Sequence, residues 1–390
     1  MKIGCLFGSG ISFKAGYKNV SKITNIILSG NNISSCTCSK YLIFPPEYAN
    51  ICDKDLNVKR ITNFLKIIYN ENKQYNKEFN NNFSPNYEDL YYIVRQLHDE
   101  IYNEQKNLIV REYLQKLSAN PEINLTVRNQ VGYHNFTLKE LIDETMIYIN
   151  SIVTGLLLLP PKKISYLKIL KELSDDKNIE IIDIFSLNHD LLLESYFDKN
   201  NILFCDGFSE PTGKSTLKHI DLKLFNGNNK INLLKLHGSS NWFRYRECKT
   251  EFIAKSISSH IDHKKDENGN HIKPVSSKAE ILIGTFNKLI DYNYGIFSEL
   301  FCLFVNKLNQ INILICSGYG FSDKGINVKI IEWYFKDNKN KIILIHPDFE
   351  KLKLESSFKY HFDDMQKENR FFVIDENFQD ATYEKIKENL

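Results

Sequence analysis

Four short polar turns carry the side chains best suited to chemistry, and each follows an apolar run typical of a β-strand. The turns begin at Gly8, Asn188, His237 and Gly318. The carboxyl ends of parallel strands lie along one edge of a sheet, and open α/β sheets bind ligands at that edge. We therefore expect the four turns to line one nucleotide-binding crevice.

The first turn is rich in glycine and small polar residues. Gly8, Ser9, Gly10 and Ser12 precede a helical pattern. Glycines allow backbone N–H groups to approach a pyrophosphate, and a helix N-terminus favours its negative charge. Phe13 stands where the dinucleotide fingerprint has its third glycine, so an ordinary strand-to-helix turn is the alternative interpretation. The fourth turn repeats the glycine-rich pattern.

The second and third turns offer an amide, a carboxylate and an imidazole. Asn188 and Asp190 flank His189, and Asp190 is alternatively a cap for the helix that follows. His237 ends another predicted strand, and an ordinary imidazole titrates close enough to neutral pH to act as a general base. The alternative is that His237 is a structural residue, as a lone histidine usually is.

The elements that must position these turns are predicted from uninterrupted apolar runs. Strands are expected at residues 2–7, 179–185, 202–204, 231–236, 281–284, 311–316, 341–345 and 371–374. Helical patterns lie between the later strands, at residues 294–308 and 327–335, and a third follows the last strand, at residues 381–389. This alternation predicts an α/β fold, with a Rossmann-like parallel sheet and helices on both faces.

Residues 20–173 differ, because their apolar residues recur at helical spacing and no strand is predicted among them. We therefore expect a discontinuous nucleotide-binding core, residues 1–30 and 176–390, interrupted by an α-helical insertion, residues 31–175. The insertion is expected to act as a lid or as the interface with a partner. A second insertion, residues 245–278, is expected to be a mobile surface loop.

The composition is that of a folded protein, with 42% hydrophobic and 25% charged residues. A formal net charge of +2 argues against direct binding of nucleic acid or of an anionic membrane. Residues 138–159 are apolar but include acidic side chains, so they indicate a buried helix rather than a membrane span. No signal-peptide pattern opens the sequence, and its sparse cysteines suit a reducing compartment, so a cytoplasmic location is expected.

Two groups of residues raise the question of a metal site. Cys36, Cys38 and Cys52 lack a second cysteine pair or a nearby histidine. His260 and His263 have the spacing of helical ligands but no third ligand at a suitable distance in the sequence. We therefore expect no bound metal, and in particular no zinc.

In chain order the four turns have the sequences GSGIS, NHD, LHGSSNW and SGYGFSDKGIN, and the NHD turn directly follows FSL. NYEDL inside the insertion and IGTFNK before the fourth turn are two further motifs. In this order the sequence resembles the sirtuin-like family, specifically its bacterial branch of NAD-consuming antiphage-defence effectors. The resemblance runs from Gly8 to Asn327 and on toward Asp348, and therefore covers nearly the whole chain.

The resemblance implies that NAD is bound as a substrate and that its nicotinamide–ribose bond is cleaved. Asn188 would orient the attacking water or the ribose hydroxyls, Asp190 would hold the nicotinamide carboxamide, and His237 would be the base. The resemblance also implies two groups of cofactor-binding residues. Those that would hold the phosphates and the adjoining ribose are Gly8, Ser9, Gly10 and Ser12. Those that would lie along the adenosine are Gly318, Tyr319, Phe321 and Asn327, with Ser322 and Asp323 beside them.

The expected function is therefore an NAD glycohydrolase that depletes NAD in antiphage defence. A catalytically silent NAD- or ADP-ribose-binding regulatory subunit is one alternative. An NAD-dependent protein deacylase is another, although the zinc module of such enzymes, C-x-x-C…C-x-x-C, is absent from the sequence. The resemblance implies a homo-oligomer and a companion defence protein: a HerA-type ATPase, an Argonaute-like protein or a nucleotide-processing subunit.

Overall fold

The computed structural model describes residues 1–36, 40–45, 55–77, 83–123, 126–129, 132–135, 137–256, 264–284, 287–349, 352 and 356–390. Its strands are β1 Lys2–Phe7, β2 Ile33–Cys36, β3 Lys40–Ile43, β4 Thr126–Asn129, β5 Gly132–Asn135, β6 Ile181–Ser186, β7 Leu217–His219, β8 Ile231–Lys235, β9 Trp242–Glu247, β10 Thr250–Ser256, β11 Ile313–Ser317, β12 Lys341–Ile345 and β13 Phe371–Ile374. Its α-helices are α1 Val20–Ser29, α2 Leu56–Lys77, α3 Tyr87–Ile101, α4 Leu108–Ser118, α5 Leu138–Leu157, α6 Lys168–Asp175, α7 Leu192–Lys199, α8 Asn287–Asp291, α9 Gly295–Leu308, α10 Lys324–Lys336, α11 Ser356–Lys367 and α12 Tyr383–Lys387.

Six strands form one parallel sheet in the order β13-β12-β11-β1-β6-β8. From the central β1 the chain adds β6 and β8 outward on one side and then β11, β12 and β13 outward on the other. The strand order therefore reverses between β1 and β11. Such a switch point leaves a crevice outside the carboxyl ends of the two strands, where open α/β sheets bind their ligands. The predicted Rossmann-like α/β fold is confirmed.

Both faces of the sheet are covered, which explains why its strands are apolar nearly throughout. Successive side chains of a strand point to opposite faces. Along β1, Ile3, Cys5 and Phe7 belong to one hydrophobic core and Leu6 belongs to the other. The first core also contains buried residues of α2, α3 and α5, and the second contains those of α9, α10 and α11. The helices of the insertion therefore cover one face of the sheet.

Helix α5 links the insertion to the rest of the chain through buried hydrogen bonds. The hydroxyl of Tyr148 donates to the carbonyl oxygen of Ile27 at 2.8 Å. The side chain of Asn150 accepts from the backbone N–H of Ala279 at 3.0 Å and donates to the carbonyl oxygen of the same residue at 3.2 Å. The stretch at residues 138–159 is thus a buried helix over most of its length, as predicted. Among the helices that the structure describes, none combines the length and the apolar character needed to cross a membrane.

The prediction that no strand interrupts residues 20–173 is wrong. Strand β2 pairs antiparallel with β3, and β4 pairs antiparallel with β5. Each of these strands has four residues. A segment that short gives too few positions to distinguish alternation from helical spacing.

The prediction of a simple loop at residues 245–278 is also wrong. β10 lies in this segment and pairs antiparallel with β9 and with β7. The turn between β9 and β10 contains Cys248, whose φ is +55°. His260 and His263 lie outside the described residues, so the expectation about a metal there stays a prediction.

Two segments that were predicted to be strands do not extend the main sheet. Cys205, just after residues 202–204, forms a single bridge with Asn232 of β8, and Gly207 then turns the chain at a φ of +77°. Ile281 forms a single bridge with Gly238, and Gly284 ends that segment at a φ of +114°. In both places the chain forms only one bridge, and a glycine with a positive φ then turns it before a longer pairing can form.

Candidate functional site

The four polar turns meet at the carboxyl edge of the main sheet. All four contribute to a first cavity of about 180 Å³, whose lining includes Gly8, Asn188, His237 and Gly318. A second cavity of about 350 Å³ adjoins it. The residues that line both cavities are Ser9, Phe13, Gly318, Tyr319 and Gly320. The expectation that the turns would converge is met.

The glycines of the first and fourth turns allow the two turns to touch. Gly8 donates its N–H to the carbonyl oxygen of Ser317 at 3.1 Å, and Gly10 donates to that of Gly318 at 2.9 Å. A β-carbon on Gly8 would lie 2.5 Å from the Gly318 oxygen. The N–H groups of Gly8 and Gly10 are therefore already engaged within the protein, and a phosphate would need other donors in these turns.

Asn188 stands just after β6 and connects the second turn to the first. Its side-chain nitrogen donates to the carbonyl oxygen of Gly8 at 3.0 Å and to the hydroxyl of Ser12 at 3.2 Å. Asn188 is 6% exposed and lines the first cavity, and its buried Oδ1 has no hydrogen-bond partner among the residues that the structure describes. A buried acceptor without a donor is uncommon and costly, so this atom fits a hydroxyl or a water in the cavity.

Asp190 also lines the first cavity, but one of its oxygens has a structural partner. Oδ1 accepts the N–H of Leu192, the first residue of α7, at 3.0 Å. The backbone carbonyl of Asp190 accepts a hydrogen bond from Lys235. Asp190 thus pairs with one N–H of the first turn of α7, although Leu191 rather than Asp190 is the N-cap of that helix, and the contact with a carboxamide stays a prediction.

His237 is 4% exposed and has two partners at one ring nitrogen. Its Nε2 lies 2.7 Å from the hydroxyl of Tyr292 and 3.0 Å from Oδ2 of Asp323. The Tyr292 hydroxyl donates to the same Oδ2 at 2.8 Å. Three buried side chains from three separate segments therefore form one closed network beside the first cavity.

The charges of this network follow from its burial. Burial lowers the pKa of His237 below its usual range, despite the neighbouring carboxylate of Asp323. Burial alone would raise the pKa of Asp323, but hydrogen bonds from His237 and from the N–H of Ile326, together with the charge of Lys288, hold that pKa well below its usual range. Burial raises the pKa of Tyr292. At neutral pH the imidazole is therefore neutral, the carboxyl ionised and the phenol protonated.

Phe321 and Asn327 reach neither cavity, although the resemblance implied that they lie along the adenosine. The Asn327 side chain donates to the carbonyl oxygen of Phe321 and accepts the hydroxyl of Tyr319, both at 2.7 Å. Phe321 is buried at a φ of +53°, with its ring 4.4 Å from that of Phe358. Phe321 and Asn327 therefore stabilise the conformation of the fourth turn through buried contacts. Gly318 and Tyr319 do line both cavities.

An ion pair at the first cavity was not predicted from the sequence. Lys288, from α8, contacts Glu88, from the first turn of α3, at 2.9 Å, and both residues line the cavity. Glu88 and its neighbour Tyr87 belong to the insertion, so the insertion forms part of the site. Glu88 lies in the NYEDL motif and Lys288 in the IGTFNK motif. Both motifs were noted in the sequence, but neither charged residue was assigned a role.

Two further side chains of the site were not predicted. His189 lines the first cavity, and its ring lies 6.1 Å from that of His237. Its Nδ1 is buried and has no hydrogen-bond partner within the described ranges. Burial, followed by the charges of His237 and Lys288, lowers its pKa well below the usual range. Tyr292 gave no signal in the sequence, because only the fold brings it to His237.

No protein-family model matches the chain, and no curated protein is significantly similar to it. The functional conclusion therefore rests on the residues and the geometry of the site.

Proposed function

We propose that this protein is an NAD glycohydrolase of the sirtuin-like type, which cleaves NAD to nicotinamide and ADP-ribose. One observation carries the proposal: Asn188, whose buried Oδ1 has no partner in the described part of the chain, and His237, as a neutral imidazole, line the same cavity. The cavity lies at the strand-order switch of a Rossmann-like sheet, where dinucleotides bind.

The proposed chemistry suits these groups. When the bond between C1′ of the ribose and the nicotinamide nitrogen breaks, its electron pair moves onto the positively charged ring, so no acid is needed for the leaving group. The ribosyl left behind resembles an oxocarbenium ion. The Oδ1 of Asn188 would accept a hydrogen bond from the attacking water or from a ribose hydroxyl, and His237 would take the proton that the water releases.

The two cavities suit the two halves of a dinucleotide. The first would take the nicotinamide and its ribose, because it contains Asn188 and His237. The second would take the adenosine, with polar side chains that include Asn377 and Gln379. The residues shared by both cavities, among them Ser9 and Gly320, would then face the pyrophosphate.

The proposal extends to the biological role. Uncontrolled hydrolysis of NAD would be toxic to the cell that makes the enzyme, so we propose a cytoplasmic effector of bacterial antiphage defence that is gated by assembly. The assembly would be a homo-oligomer with a companion protein: a HerA-type ATPase, an Argonaute-like protein or a nucleotide-processing subunit. The insertion contributes Tyr87 and Glu88 to the first cavity, so a partner that moves it would change the site.

The test is a nicotinamide-release assay on purified protein, alone and with candidate partners. Wild type is expected to release nicotinamide under at least one condition, and Asn188→Ala and His237→Ala to lose about 10²–10⁴-fold in rate. Asn200→Ala and His219→Ala, outside both cavities, are the matched controls. Binding of NAD without release under any condition would favour a silent regulatory subunit. Release only with an acylated peptide would favour a deacylase.

A further inference from the structure

We propose that Asp323 is a positioning residue that fixes His237 in the tautomer protonated at Nε2 and leaves Nδ1 as the proton acceptor, and that Tyr292 holds the carboxylate of Asp323 in place for this contact. This inference rests on the proposed function for its catalytic consequence. The arrangement of the three side chains can be tested whether or not NAD is hydrolysed.

The contacts around Oδ2 of Asp323 determine where the protons lie. An ionised carboxylate only accepts hydrogen bonds, and this oxygen is 3.0 Å from Nε2 of His237 and 2.8 Å from the Tyr292 hydroxyl. Both neighbours must therefore donate, so Nε2 carries a proton. Nδ1 of His237 has no hydrogen-bond partner in the described part of the chain, and the neutral ring keeps its lone pair there.

The position of Asp323 in the chain stabilises its ionised form. Asp323 is the N-cap of α10, and its Oδ1 accepts the N–H of Ile326 at 3.1 Å. The N-terminus of a helix favours negative charge. The two carboxylate oxygens thus have separate partners. Oδ1 caps the helix, and Oδ2 accepts the hydrogen bond from the imidazole of His237.

In the proposed step, one proton passes from the attacking water to His237. The water oxygen forms a bond to C1′ of the ribosyl and releases one proton, which Nδ1 of His237 accepts. The resulting imidazolium keeps its Nε2–H bond to Asp323, whose negative charge stabilises it without taking the proton. Releasing the proton to solvent restores the neutral ring. Tyr292 keeps its proton throughout.

Conservative variants separate positioning from structural support. Asparagine is as good an N-cap as aspartate, so Asp323→Asn keeps the helix cap while removing the charge that orients the imidazole. Tyr292→Phe removes only the hydroxyl and keeps the ring, which stacks on Phe301 at 4.5 Å. Asp221→Asn is the matched control, because Asp221 caps a short 3₁₀ helix and lines neither cavity.

The experiment is ¹⁵N NMR of the histidine side chains in the full chain, with His237 assigned by its loss in His237→Gln. We expect the Nε2-protonated tautomer in wild type and in Asp221→Asn. In Asp323→Asn the amide can donate to Nε2, so a mixture or the Nδ1-protonated tautomer is expected. Tyr292→Phe leaves Asp323 in place and should keep the wild-type tautomer while lowering kcat less than Asp323→Asn does.

Nicotinamide release supplies the second measurement. Asp323→Asn should lose about 10²–10⁴-fold in kcat with little change in KM, since Asp323 lines the first cavity but both its carboxylate oxygens are engaged by His237, Tyr292 and Ile326. A wild-type ring protonated at Nδ1, or an Asp323→Asn variant with an unchanged tautomer, would overturn the inference. The predicted tautomers in a protein that never hydrolyses NAD would support the positioning and refute the proposed function.

Discussion

Gly318 approaches the backbone of Ile11 so closely that a β-carbon on Gly318 would lie 2.5 Å from the Ile11 nitrogen. Gly318 also has a φ of +63°, a conformation that residues with a β-carbon rarely adopt. This contact joins the turn after β11 to the turn after β1, on the two sides of the strand-order switch. The position of the residues that line both cavities therefore depends on a glycine at residue 318.

We expect Gly318→Ala to lower the free energy of unfolding by about 1–3 kcal/mol or more, since the left-handed backbone and the close contact both penalise a methyl group. Gly320→Ala is the matched control. A β-carbon on Gly320 would have nothing within 4 Å, and the φ of this residue is not positive. The control should change the free energy of unfolding by less than about 1 kcal/mol. Chemical denaturation measures both, and equal destabilisation by the two substitutions would contradict the structure.

Asn150 is expected to matter for stability because it is the side-chain partner of a buried backbone segment. Asn150→Ala would leave both the N–H and the carbonyl of Ala279 without the partners they have in the structure. Each unpaired buried group costs about 1–3 kcal/mol, so we expect a loss of about 2–4 kcal/mol in the free energy of unfolding. The measurement is again chemical denaturation.

The control is Asn389→Ala, whose side chain makes an exposed hydrogen bond to Lys385 near the end of the chain. It should change the free energy of unfolding by less than about 0.5 kcal/mol. An Asn150→Ala protein as stable as this control would mean that the two hydrogen bonds between Asn150 and Ala279 do not help to hold the insertion against the rest of the chain.

The sequence predicts the main sheet well because its strands are buried on both faces. β12, for example, is apolar from Ile342 to Ile345 and cannot be mistaken for a loop. The four-residue strands of the insertion have no such run. The polar turns were predictable because each follows a strand, whereas Tyr292 and Lys288 lie on or beside α8, a helix of five residues. Their contacts with His237 and Glu88 join segments distant in the chain, and no local pattern encodes such pairings.

The charges of Lys288 and Glu88 should shift the pH dependence of the proposed activity, which burial of His237 and its contact with Asp323 mainly determine. A positive neighbour disfavours the imidazolium of His237, and a negative one favours it. Lys288→Gln therefore raises the pKa of His237, so activity should begin to fall at a higher pH as the solution is acidified. Glu88→Gln should lower that pKa and move the fall in activity to a lower pH.

The rate of nicotinamide release measured across the acidic range checks both variants. For each protein, the rate at pH 6 is divided by its rate at pH 8. We expect this ratio to be about two- to tenfold lower in Lys288→Gln than in wild type, as a rise of up to roughly one unit in the pKa of His237 allows. Lys329→Gln, on the exposed side of α10 and paired with Glu332, is the control and should follow wild type. Shifts of the same sign in Lys288→Gln and Glu88→Gln would show that the pair acts through shape rather than charge.

The second cavity predicts a preference for NAD over NADP. Among the described residues that line it, none is lysine, arginine, aspartate or glutamate. A 2′-phosphate on the adenosine ribose would meet no lysine or arginine there, and among the described residues of the lining only His346 could offer it a positive charge. We expect kcat/KM for NADP to be lower by about tenfold or more. Gln379→Arg, which adds a cation at this cavity, should narrow that gap, whereas Gln115→Arg on α4 should not. Equal use of the two dinucleotides by wild type would place the adenosine elsewhere.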